Sequence, residues 1–151
     1  MEEFGSVDEI LDFAIKGEEE SYQFYTDLSK KMKKPGMKEL FEGFALEEQG
    51  HKAKLEAIKK GKLLISSANK VMDLKIGDYL VDVTPSQDMD YQKALILAMK
   101  KEKAAFRMYT DLAAVAPDEG LRNTLLSLAQ EEAKHKLRFE IEYDEEVMSE
   151  N

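Results

Sequence analysis

The chain contains no cysteine. Disulfides, thiolate zinc sites, iron–sulfur clusters and rubredoxin-type iron sites are therefore excluded from it. Proline and glycine are scarce, at three and eight residues in 151, which suits long helices. No apolar run approaches the ~20 residues that cross a bilayer. The acidic N-terminus, MEEFGSVDE, has no signal-peptide apolar stretch. Positive charge is in deficit: 22 Lys and Arg face 31 Asp and Glu, for a net charge of −9. Simple electrostatic attachment to nucleic acid or to an anionic membrane is thereby disfavoured. Together these absences give the expectation of a soluble cytoplasmic protein. Histidine is also rare, with only His51 and His135.

What is present points to one helical domain. The length allows a sizeable single core, and the composition is 43% hydrophobic and 35% charged. Both histidines close the same motif, Glu-x-x-His, as Glu48–His51 and Glu132–His135. Residues three apart on a helix share a face one turn from each other, so each Glu and His can point at one spot. The two motifs are 84 residues apart, and that offset extends beyond them. Shifted by 84, Ala14–Ser29 lies on Ala98–Ala113 with seven of 16 positions identical. Glu18 falls on Glu102, Tyr25 on Tyr109, Gly36 on Gly120 and Ala45 on Ala129. The chain reads as two copies of one helical hairpin related by a pseudo-twofold.

Ser6 and Glu9 form a capping box ahead of the first helix. Its inner seam is Leu11, Ala14, Glu18, Ser21, Tyr25, Leu28 and Met32, with alternating gaps of three and four. The helix should end near Lys33, before the Pro35-Gly36 break. The second helix starts at Pro35 or Gly36, with the seam Met37, Phe41, Phe44, Glu48, His51, Leu55 and Ile58, and stops at Lys59-Lys60-Gly61. Residues 61–89 lose the seam but are too apolar for a flexible linker, so an ordered crossover is expected, with a short helix at Lys75–Val81. The third helix begins near Asp88 or Asp90, and its seam is Tyr91, Leu95, Ala98, Glu102, Ala105, Tyr109, Leu112 and Ala116. Pro117 is placed near the first position of the fourth helix, whose seam is Leu121, Leu125, Leu128, Glu132, His135 and Phe139. The acidic tail from Glu142 is expected to fray. Two hairpins, 6–60 and 90–145, thus flank the crossover.

Six polar residues interrupt these apolar seams: Glu18, Glu48, His51, Glu102, Glu132 and His135. Burying four carboxylates is costly unless something pairs with them, and no Lys or Arg lies on the seams. Residues equidistant from a hairpin turn lie level. Glu18 and His51 are level about the Lys34-Pro35 turn, and Glu102 and His135 about Pro117-Asp118, each pair roughly 25 Å from its turn. Pseudo-twofold packing then gathers all six at mid-bundle. One Glu from each of two helices, with Glu-x-x-His from each of the other two, is the ligand pattern of di-iron and di-manganese carboxylate bundles. Four carboxylates balance two divalent cations, and oxygen ligands with two imidazoles suit iron or manganese. Glu47 and Glu131 adjoin these ligands off the seam and are candidates to support them.

On these residues the chain resembles the ferritin-like superfamily, and within it the di-iron domain of the rubrerythrin family, over roughly residues 6–142. The resemblance implies an all-α, ferritin-like four-helix bundle holding two iron ions, or manganese in their place. It implies Glu48 and Glu132 as bridging carboxylates, with Glu18 and His51 completing one metal and Glu102 and His135 the other. Tyr25 and Tyr109 match tyrosines that hydrogen-bond carboxylate ligands in such proteins. It further implies an oxidoreductase that reduces hydrogen peroxide, or O₂, with electrons from an external donor such as a rubredoxin-like protein, and a homodimer. Two departures stand out. The rubredoxin domain of typical rubrerythrins is lacking, and their extra glutamate on the third helix is Ala105 here, with Ser21 at the equivalent place in the first half. The remaining six-ligand set also resembles bacterioferritin, so ferroxidase activity with iron storage is an alternative. A non-catalytic bundle with a structural metal is another.

Overall fold

The computed structural model describes residues 7–61 and 90–150. Four helices make up these residues: α1 Val7–Lys31, α2 Pro35–Gly61, α3 Tyr91–Val115 and α4 Glu119–Glu150. The Ser6 cap, the crossover and the short helix expected at Lys75–Val81 lie outside the described residues. α1 packs along α2, α3 packs along α4, and α1 also meets α3. The Phe41 ring near the start of α2 lies 6.0 Å from the Tyr91 ring at the start of α3. Those two starts share one end of the bundle. The end of α2 and the start of α3 therefore lie at opposite ends of the bundle, about 40 Å apart for a 27-residue helix.

The turns follow local chemistry. Lys34 O accepts from the backbone N–H of Met37 and Lys38, both at 3.1 Å, so Pro35 takes the first helical position, where no N–H is needed. α1 stops at Lys31, two residues before the expected end. Asp90 caps α3, its side chain accepting from Lys93 N at 2.8 Å. The start of α4 differs from the sequence reading, for Pro117 lies outside the helix. Asp118 is the residue that caps it: its Oδ2 accepts from Leu121 N at 2.9 Å, and its carbonyl accepts from Arg122 N at 2.9 Å. The Arg122 guanidinium reaches back to Ala113 O and Ala116 O, at 3.3 and 3.2 Å, satisfying carbonyls at the end of α3.

The C-terminal stretch also differs. α4 continues past Glu142 to Glu150. Tyr91 donates to Glu142 at 3.0 Å, and Tyr143 packs on the core, so tertiary contacts hold a stretch whose own composition is acidic.

The core is in two parts. One joins Ile10, Leu11, Ala14 and Leu55 to Met108, Leu112, Leu121, Leu125 and Leu128. The other joins Phe24, Tyr25, Leu28, Phe41 and Phe44 to Leu95, Ala98 and Phe139. The chain numbers place one cluster on each side of Glu18, Glu48, Glu102 and Glu132. The bundle is thus apolar at both ends and acidic at its waist. Every seam residue of α1 and α4 is buried. The buried stripe is wider than the seams, because Ile10, Phe24 and Met108 pack beside them.

The α4 cap gives a direct test. Asp118→Ala should lower stability by about 1 kcal/mol, read as a fall in the urea midpoint. Asp118→Asn, which keeps an acceptor, should lose less.

Candidate metal centre

Each of the six side chains comes from a seam position at which the helix turns inward. Glu18 is supplied by α1, Glu48 and His51 by α2, Glu102 by α3, and Glu132 and His135 by α4. The four carboxylates are sealed from solvent, at 0–2% exposure. His135 is buried as well, while the His51 side chain keeps 13% exposure. All six converge. His51 Nδ1 lies 3.0 Å from Glu132, 3.6 Å from Glu18 and 3.8 Å from Glu48. His135 Nδ1 lies 3.1 Å from Glu48, 3.6 Å from Glu102 and 3.9 Å from Glu132. The imidazoles lie nearly parallel, 5.8 Å apart with 9° between planes.

The ligating atoms form two overlapping quartets, Glu18–Glu48–His51–Glu132 and Glu48–Glu102–Glu132–His135, each with its atoms within 4.8 Å of one another. Glu48 and Glu132 belong to both.

Two tyrosines complete the inner arrangement. Tyr25 on α1 donates to Glu102 on α3, and Tyr109 on α3 donates to Glu18 on α1. Each therefore reaches the glutamate of the other hairpin. Sequence spacing placed them only two turns along their own helices from Glu18 and Glu102, and could not show the exchange. Burial, then the nearby carboxylates, push both phenols well above the usual tyrosine range. They stay protonated and remain donors.

The electrostatics suit a candidate cation site. Among the described residues, the ion pairs of these four carboxylates run only to the two histidines. Glu18 Oε2, Glu102 Oε2, both oxygens of Glu48 and Glu132, and Nδ1 of each histidine are buried without a hydrogen bond. Polar atoms so placed are costly unless a ligand engages them. Six carboxylate oxygens and two imidazole nitrogens make a hard, oxygen-rich donor set, which fits two divalent iron or manganese ions.

Without cations the centre holds protons instead. Burial, followed by the carboxylates of Glu18 and Glu102, pushes the Glu48 carboxyl well above its usual range. Burial, then Glu102, Glu48 and Glu18, do the same to Glu132. Burial opposes a charged imidazole at His135, but the Glu102 and Glu48 carboxylates outweigh it and push that group up to about 10. The metal-free folded chain thus binds more protons than the unfolded chain, whose groups titrate near their ordinary values of 4.5 and 6.5. Its stability is fully present at low pH and falls as pH rises through those values toward the raised ones. The urea midpoint of metal-free protein should therefore drop from about pH 5 to about pH 9. Added divalent metal should reverse the drop, because cations replace the protons.

A family model described as rubrerythrin matches residues 9–143. No curated protein matches the chain in sequence. Among solved structures, a hypothetical protein from Pyrococcus furiosus is 26% identical, over 90% of this chain and 87% of its own, with a TM-score of 0.68. A Thermotoga maritima protein, provisionally described as a ferritin-like diiron-carboxylate protein, superposes with a TM-score of 0.78 over 97% of this chain and 99% of its own. At 20% identity that likeness speaks for the fold alone. The family match takes in nearly all of α1 through α4, with all six converging side chains inside it. By that match the chain belongs to the rubrerythrin family.

Proposed function

We propose that this protein is a non-haem di-iron oxidoreductase that reduces hydrogen peroxide to water with electrons from a separate donor protein. The observation that carries this reading is the pair of overlapping quartets sharing Glu48 and Glu132. Glu48 and Glu132 would bridge two ions, Glu18 and His51 would complete one position, and Glu102 and His135 the other. Two ferrous ions held there would supply the two electrons that, with two protons, convert one peroxide into two waters.

The chain's own residues supply the setting. Four carboxylates at the waist match the charge of two divalent cations. Tyr109 and Tyr25 each tie down one oxygen of Glu18 and Glu102, leaving the second oxygen of each without a partner. The apolar clusters on either side exclude water from the centre. These 151 residues include no cysteine, the ligand of a rubredoxin-type iron, and the electrons are proposed to come from a separate donor. Among the described residues no helix is long and apolar enough to cross a membrane.

Protein purified without chelator should hold about two iron or manganese atoms per chain, with Glu48→Ala and His135→Ala losing most of them. In stopped flow, the reduced wild type should be oxidised faster by peroxide than by O₂. Much faster oxidation by O₂, in a large hollow assembly by light scattering, would replace peroxide reduction with iron storage. Absence of bound metal would leave a purely structural bundle.

A further inference from the structure

The two halves of the centre differ just outside the ligand set. Both histidines turn Nδ1 toward the carboxylates. On the far side of His135, Nε2 is buried without a hydrogen bond, and Oε2 of Glu47 on α2 lies 3.0 Å from it. The Phe44 ring stands edge-on to the same imidazole, at 4.7 Å and 77°, and limits its rotation. Glu47 corresponds by the 84-residue repeat to Glu131. Glu131 faces Lys134 on its own helix, at 3.6 Å. The His51 side chain is 13% exposed against 5% for His135. One imidazole is sealed with a carboxylate behind it; the other borders solvent.

An imidazole that binds a cation through Nδ1 carries its proton on Nε2. Buried, that N–H needs an acceptor, and a carboxylate behind a ligand histidine fixes its tautomer and orientation and makes it a stronger ligand. Glu47 is the carboxylate in place at His135. We infer that Glu47 is a positioning residue that makes the two metal positions unequal, so that the position at Glu102 and His135 fills first and binds more tightly than the one at Glu18 and His51. This rests on the metal-centre reading above, and it concerns the order of loading, which that reading leaves open.

The experiment is titration of the metal-free chain with Co(II), followed by calorimetry and by visible absorption. Wild type should show two steps of unequal affinity. Glu47→Ala should weaken the tighter step roughly tenfold, alter its Co(II) absorption and leave the weaker step in place. Glu47→Gln, which keeps an acceptor oxygen, should recover part of the loss. Glu131→Ala removes the matched charge and should change neither step. Two equal steps in wild type would overturn the inference, and so would equal effects of Glu47→Ala and Glu131→Ala, while the metal centre itself would stand. A wild-type chain that takes up no Co(II) would overturn both.

Discussion

Four carboxylates buried at the waist of an apolar bundle are the constraint from which the rest of this structure follows. Each would cost several kcal/mol if left ionised and unpaired. No lysine or arginine among the described residues forms an ion pair with them. The site therefore has two ways to exist, with protons or with cations. Eight candidate ligand atoms at the waist are buried without hydrogen bonds. The cation-bound state would engage them all.

The centre also joins the two halves of the molecule. The extensive helix contacts lie within each hairpin, α1 on α2 and α3 on α4. The shortest polar contacts at the waist run between hairpins instead. Tyr25 reaches Glu102, Tyr109 reaches Glu18, His51 sits nearest Glu132, and His135 sits nearest Glu48 among the ligands. Two cations sharing Glu48 and Glu132 would tie α2 to α4 across that same boundary. Metal binding and docking of the hairpins would in this sense be one event, coupling occupancy of the candidate centre to the stability of the bundle.

Duplication accounts for the symmetry, and divergence for the departures from it. The candidate ligands and their tyrosines are paired one for one between the halves. Beyond them the halves differ: Glu47 faces His135, whereas Glu131 faces Lys134. Identical ligand sets can thus be held by unlike surroundings, and those surroundings set how firmly each histidine is oriented.

Most of the centre was legible in the chain because helical periodicity is local arithmetic. Glu48 and His51 share a face whatever the helix packs against, and the level pairing of Glu18 with His51 needs only a hairpin and its turn. An 84-residue repeat and two histidines, both within Glu-x-x-His, then narrow the choice of candidate ligands to six residues. Tertiary structure alone decided which glutamate each tyrosine serves, that Glu47 and not Glu131 backs a histidine, and that α4 continues beyond Glu142. Those outcomes depend on the rotation and separation of neighbouring helices and on side chains meeting across them. Periodicity along one helix carries no information about either.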